Sequence, residues 1–464
     1  MTRTADSIIV LGAGLAGLTV ATELAKKYGS RIVLIEKEAY VGGLAASHTV
    51  HGWTVDIGSH RIQGSFSRRI FHYLRDTLAL SLLKRPRHGA LFIHNTYLRY
   101  PPTFINLFRK LHPLTMAQYA VSYLYRFRYP KQWDTYESGM LRWVGKKIYY
   151  DLFHDFAQKL WGIEPTELSL SAGKRRKALF DFKALVANTL GTNSYFYYPR
   201  NGIGSIAATL KEHFTQYGGR CLLNTRLCAI RTTDRHIATV TTQNESGTYT
   251  DHSAELCIAT IPIDELYTLL AGSLPATKKP LAWRSLRVIY LLLDRPLPHR
   301  HETFYFPTLQ TFLGRVSDIS KYAPVADNHN GQTLLTIEIP LAENEQLWHI
   351  PDDTLAIQCL EELKKLRLID RHTHMIDFAS SKYTKAYPIY TLSWDDTFTH
   401  MLATANTYVN LFTIGRKGLF LHNNIDHSMA QGLDLAAFIT KGNDHDASSW
   451  HKKVTHYLTC TARD

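Results

Sequence analysis

Three glycines and one carboxylate near the start of the chain carry the first legible chemistry. Gly12, Gly14 and Gly17 fall at GxGxxG spacing, directly after the apolar run Ile8 to Leu11 and directly before an apolar-periodic stretch that opens with Leu15 and Ala16. Bare backbone at such a turn lets a pyrophosphate approach the amides of a helix N-terminus, whose partial positive charge complements phosphate. A second apolar run, Arg31 to Ile35, ends in Glu36 and Lys37. A carboxylate at that separation accepts hydrogen bonds from ribose hydroxyls and repels a 2′-phosphate. Strand, glycines, helix, strand and acid in this order predict a dinucleotide site.

A second glycine pair follows in Val41-Gly42-Gly43-Leu44-Ala45-Ala46-Ser47, and then His51-Gly52-Trp53-Thr54-Val55-Asp56-Ile57-Gly58-Ser59-His60-Arg61. With these segments the chain resembles the FAD-binding flavoprotein superfamily of amine oxidases, protoporphyrinogen oxidase, phytoene desaturases and UDP-galactopyranose mutase. The resemblance implies that Gly42, Gly43, Leu44 and Ala45 border the flavin pyrophosphate and that Gly58, Ser59 and His60 run beneath the isoalloxazine. FAD rather than NAD is then the bound dinucleotide. It is held non-covalently, because no Cys or His stands in an attachment motif. NAD(P)H enters only as an external reductant.

Later segments match the same superfamily. Tyr197 to Ile206 resembles its Tyr-Pro-x-Gly-Gly-x-Gly segment, with Asn201 in place of the first glycine. Cys221 to Leu227 matches the strand whose backbone contacts adenine, at Leu227, and Leu256 to Pro262 the strand ending in Thr-x-Pro, at Thr260. The closing stretch from Leu411 carries Gly415, Arg416, Asn424, Asp426, His427, Ser428 and Met429, the positions that meet the flavin ring and ribityl chain in the family.

Other motifs are similar to the UDP-galactopyranose mutase-like branch. Tyr149 to Leu168 resembles its helix ending in Lys-x-Trp, which implies that Trp161 lines a nucleotide-sugar site. The branch's later helix-borne arginine has no clean counterpart, although Arg175, Arg176 and Lys177 lie nearby. By the same resemblance Arg315 faces substrate phosphate, Tyr387 binds diphosphate, and His60 lies against the flavin face. An Arg fork and a Tyr hydroxyl suit an anionic small-molecule substrate. The leading expectation is a redox-neutral mutase or isomerase on a nucleotide-diphosphate sugar, with reduced flavin as nucleophile and Arg416 at the same site. The alternative is a net FAD-dependent oxidoreductase on a hydrophobic or amine substrate.

These residues need elements to hold them. The 464 residues, 45% hydrophobic, suffice for a large core. The resemblance implies a two-lobed, glutathione-reductase-like α/β fold. Its FAD-binding Rossmann lobe takes residues 1–65, 197–284 and 400–440, with a mostly helical insertion at 66–196, an antiparallel substrate sheet at 285–399 and a polar tail at 441–464. In the insertion, Tyr119 to Tyr129 interleaves aromatics with arginines. It reads as core packing with a wet tyrosine rim rather than as a membrane face.

Five scattered cysteines without a CxxC pair argue for reduced thiols and no metal site. No apolar run reaches membrane-span length, and Met1 leads almost directly into the first strand. The expectation is a cytoplasmic enzyme, with peripheral membrane contact and homo-oligomerisation left open. The formal charge of +13 and clusters such as Lys84 to Arg87 and Lys174 to Lys177 attract anions, but no nucleic-acid module is recognisable, which excludes that class.

Overall fold

Ile8 to Leu11 and Ile32 to Ile35 are apolar at every position, and every one of these side chains is 3% exposed or less. Strands with no polar face belong inside a layered sheet with both faces covered. They form the centre of a sheet in the order Arg220–Leu222, Ile32–Ile35, Ser7–Leu11, Tyr249–Ala259, Leu411–Thr413, all parallel. The long strand Tyr249–Ala259 also carries an antiparallel meander with His236–Asn244 and Thr225–Thr233. Leu11 is level with Ile35 on one side and Ala259 on the other, so the strands end together. Parallel sheets bind ligands at this carboxyl edge. The computed structural model describes residues 7–63, 66–130, 134–175, 195–323, 331–441 and 447–459. Arg176, Lys177 and Cys460 lie outside them.

A second sheet of seven strands runs Met375–Ile389, Ala282–Leu293, Thr333–Leu341, Arg315–Asp318, Thr303–Tyr305, Gly89–Ile93, Thr96–Tyr100. It is antiparallel except where Thr303–Tyr305 meets Gly89–Ile93. Alternation along Thr333–Leu341 sets its two faces. Leu335, Ile337, Ile339 and Leu341 pack in one cluster with Leu355, Cys359 and Leu363 of the helix Asp352–Lys365. Leu334 belongs to a separate cluster with Val288, Tyr290, Trp53 and Val55. Trp53 and Val55 come from the hairpin Ser47–Val50 and Trp53–Asp56 that precedes His60, so the second sheet packs against that hairpin next to His60.

Three readings of the sequence change. The span expected to be mostly helical contains the strands Leu82–Pro86, Gly89–Ile93 and Thr96–Tyr100, each too short to show a clear period. The 441–464 region is not simply a polar tail. Ala447–Leu458 is a helix whose Trp450, Val454 and Tyr457 are buried, at i, i+4 and i+7, and the Tyr457 hydroxyl donates to Asp434 at 2.5 Å. The helix Pro113–Tyr125 has no buried residue. Of the stretch Tyr119 to Tyr129, Tyr119 packs on the core while Val121, Leu124, Tyr125 and Phe127 are exposed, so the core-packing expectation holds only in part. Among the described residues, no helix is long and apolar enough to cross a membrane.

Candidate functional site

The helix Leu15–Tyr28 begins at Gly14 with no side-chain cap, so its first-turn amides are left for another acceptor. Its start is pressed against the strand: a Cβ on Gly17 would lie 2.0 Å from the Gly12 carbonyl oxygen. A Cβ on Gly14 would meet nothing within 4 Å, because that position borders a cavity of about 1070 Å³. The second glycine turn closes on the first, with Gly42 N–H donating to Ala13 O at 2.8 Å. Glu36 reaches the same loop, where its Oε2 accepts from Ala13 N–H at 2.7 Å.

The cavity is lined by most of the residues expected to hold the cofactor: Gly12, Gly14, Leu15, Ala16, Glu36, Lys37, Gly42, Gly43, Leu44, Ala45, His60, Leu227, Thr260, Gly415, Arg416, Asn424 and Ser428. They come from six separate stretches of sequence. An open glycine cradle, uncapped helix amides, a carboxylate beside them and a long cavity together fit an FAD.

Six expected residues do not line the cavity. Gly17 serves the helix–strand packing just described. Gly58, at φ +79°, makes room for Glu338, since a Cβ there would lie 2.8 Å from the Glu338 carboxyl carbon. Ser59 donates its N–H to Glu338 at 2.8 Å, and its hydroxyl lies 2.5 Å from that of Tyr322. On the closing helix Ile425–Thr440, Ile425 and Ser428 share the face that meets the cavity. Asp426, His427 and Met429 fall on other faces. The Asp426 carboxylate accepts from Ser67 N–H at 3.0 Å, His427 completes the cap with Asn424, and Met429 is fully buried.

His60, Arg315, Arg416 and Tyr387 form one cluster. Arg315 and Glu338 are directly opposite on adjacent strands, so their side chains meet. Arg315 Nε and Nη2 each donate to a Glu338 oxygen at 2.6 Å. The arginine expected to offer a free fork to phosphate is therefore already held by a carboxylate. Arg416 lies 5.7 Å above the Tyr387 ring, which stacks on His422 at 5.5 Å.

Burial, reinforced by the charges of Arg315 and Arg416 and opposed by Glu338, pushes the His60 imidazole down from its usual 6.5 to about 4. The ring is thus neutral at pH 7. Its Nδ1 lies 3.2 Å from the Gly58 carbonyl oxygen, which places the proton on Nδ1 and leaves Nε2 as an acceptor. Since the folded value lies below the unfolded one, lowering the pH from about 6.5 towards 4 should cost stability, as the unfolded chain takes up the proton first. Urea titrations of the wild type and His60→Asn across that range should show a steeper loss in the wild type.

Trp161 stands apart from the cavity lining. It is 3% exposed, packs edge-on against Tyr136 at 5.5 Å, and its Nε1–H has no partner among the described residues. Glu338 is the main residue that sequence reading missed. Its signal was an acid at the centre of the otherwise uncharged strand Thr333–Leu341. Tyr322 was missed as well. It joins Ser59, Arg61 and Thr303 through its hydroxyl, and no motif surrounds it.

The comparisons with known proteins follow this geometry. The family described as flavin-containing amine oxidoreductase matches residues 15–422. A probable UDP-galactopyranose mutase of Klebsiella pneumoniae is 25% identical over 188 residues, 38% of this chain and 46% of that protein. An L-amino-acid oxidase of Siganus canaliculatus is 33% identical over 82 residues, 17% and 15% of the two chains. Each match thus spans less than half of the curated relative. The crystal structure of a reduced UDP-galactopyranose mutase superposes with TM-score 0.79 at 19% identity, covering 99% of this chain and 100% of that one. A provisional protoporphyrinogen oxidase of Exiguobacterium sp. 255-15 gives 0.71 at 18% identity, covering 95% and 100%.

Proposed function

This chain belongs to the family of flavin-containing amine oxidoreductases, and from that premise we propose that it is an FAD-dependent mutase-like enzyme acting, without net redox change, on a nucleotide-diphosphate sugar. The observation that carries the reading is the polarity of the cluster around His60: two guanidinium groups, Arg315 and Arg416, both act on a neutral imidazole that lines the cavity. A hydrophobic substrate would call for apolar walls here instead. When bound, the flavin supplies a ring that can hold an electron pair and return it.

The protein's own part is binding and orientation. The Leu15 and Ala16 amides and the Gly42–Gly43 turn receive the pyrophosphate, and Glu36 receives the ribose hydroxyls. The Arg315–Glu338 pair is close to neutral as a unit, and Arg416, which lines the cavity and donates from Nε to Asn423 Oδ1 at 3.3 Å, is the principal partner of the substrate diphosphate. Tyr387, beneath its guanidinium, offers a neutral donor. His60 Nε2 accepts a hydrogen bond from a sugar hydroxyl.

The test is turnover of a panel of nucleotide sugars by the reduced enzyme under anaerobic conditions. An isomeric product with no consumption of reductant supports the proposal. Oxygen uptake or dye reduction in step with product would replace it with a net oxidoreductase. NAD(P)H as the electron donor is part of the proposal, to be read from the rate at which it reduces the flavin. His60→Ala should keep the flavin spectrum and lower turnover about ten- to hundredfold, the worth of one or two hydrogen bonds. Parallel loss of flavin would mark the histidine as structural.

A further inference from the structure

We propose that the helical hairpin Phe104–Lys110 and Pro113–Tyr125 is a docking face for an anionic lipid bilayer surface. The second helix is reversed relative to a normal surface helix. Its outward positions are 113, 114, 117, 118, 120, 121, 124 and 125, all exposed. Six of them are aliphatic or aromatic, none is charged, and Gln118 carries the single side-chain amide. Its inward side already has partners: Met116 and Tyr119 pack on the core, and the Tyr119 hydroxyl donates to Asp151 at 3.1 Å. Leu114 is 67% exposed and Leu124 70%, and Phe108 and Phe127, on the segments before and after this helix, are exposed as well. Eight of the fifteen large apolar side chains exposed among the described residues lie between Ile105 and Tyr150. A monomer in water rarely concentrates them so.

Charge decides what covers this face. From Thr77 to Trp133 the sequence has no Asp or Glu and nine Lys or Arg. Arg109 and Lys110 close the first helix, while Arg126 and Arg128 follow the second. Among the described residues none of the four is in an ion pair. Arg126 lies 3.6 Å from the Tyr123 ring centre and Arg128 4.4 Å from that of Tyr125, which is an arrangement of aromatic bodies with cationic heads. A second copy docked by two-fold symmetry would oppose cation to cation across the same patch. An anionic headgroup layer instead pairs with the arginines and accepts the leucines and phenylalanines to a depth of about 5–10 Å.

Flotation of the FAD-loaded protein with vesicles tests this. Vesicles of equal phosphatidylglycerol and phosphatidylcholine should carry it, phosphatidylcholine alone should not, and salt should release it. Arg126→Glu and Arg128→Glu should each weaken association at least about fivefold at low salt, and Leu114→Gln with Leu124→Gln by about tenfold or more. Leu114, Leu124 and Arg128 are exposed, so thermal unfolding should not change in their variants, whereas Arg126 is half-buried and donates to Tyr123 O at 2.8 Å. Flavin absorbance should not change in any of the four. Failure to float, flotation unaffected by all four substitutions, or a lipid-free dimer dissolved by the leucine pair would overturn the proposal.

Discussion

Gly14→Val should give a protein that folds but purifies without flavin. Gly14 sits at φ −67° and ψ 172°, extended backbone that valine adopts, and its added Cβ would touch no protein atom. The folded apoprotein therefore pays little beyond a weaker helix cap, at most about 1 kcal/mol. The side chain instead occupies the space where the pyrophosphate reaches the Leu15 and Ala16 amides. Loss of two charge-assisted hydrogen bonds, at about 1.5–3 kcal/mol each, lowers FAD affinity by about 10²- to 10⁴-fold. Acid precipitation followed by chromatography of the supernatant measures it: wild type should release its full flavin content, and Gly14→Val almost none. Wild-type colour left in the pellet would contradict non-covalent binding. Gly17→Val is the contrasting control, because its Cβ meets the Gly12 carbonyl at 2.0 Å. That variant should lose the fold itself, so the two glycines of one motif separate by assay.

Arg315→Ala should lose both stability and activity, and for different reasons. Burial pushes the Glu338 carboxyl up, but the Arg315 charge and its hydrogen bonds more than reverse that, holding it below the ordinary 4.5. Without Arg315, the Glu338 side chain, 5% exposed, keeps among the described residues the Ser59 amide as its donor. Removing one partner of a buried pair costs about 3–5 kcal/mol. The sign of the pH dependence should also reverse. In wild type the pair contributes above the unfolded carboxyl value and is lost as pH falls through the lower folded one. In the variant burial, the largest influence on Glu338, is opposed mainly by the Ser59 amide, so acidification through that range should stabilise it relative to neutral pH.

Activity should fall at least about ten- to hundredfold, since the cluster also loses the charge beside His60. Arg315→Lys should restore part of each quantity, keeping the charge without the two-point geometry. Glu338→Gln should restore stability better than activity if the pair's task is to position the guanidinium. Denaturant midpoints and kcat/KM across these variants separate the outcomes. Full activity of Arg315→Ala in a folded protein would remove the arginine from the proposed site.

The cofactor half of the protein was legible in the chain because its determinants are local. Turn, helix start, strand and acid lie within about thirty residues, where glycine spacing and apolar runs dictate the geometry directly. The turn at Gly12 and Gly14 and the place of Glu36 beside it follow from those facts, whereas Gly42 and Gly43 were expected there from the family resemblance. The substrate half depends on registers that no local pattern encodes. Arg315 read as a free cation until strand pairing set it opposite Glu338, 23 positions away. Trp161 read as a wall of the site, but its helix packs it against Tyr136. Asp426, His427 and Met429 shared a motif with Ser428, yet a helix turns 100° per residue and presents only some of them to the cavity. The outward apolar face of Pro113–Tyr125 shows the same division. Periodicity predicts a helix, but which side of it is covered depends on the neighbouring elements, and those come from elsewhere in the chain.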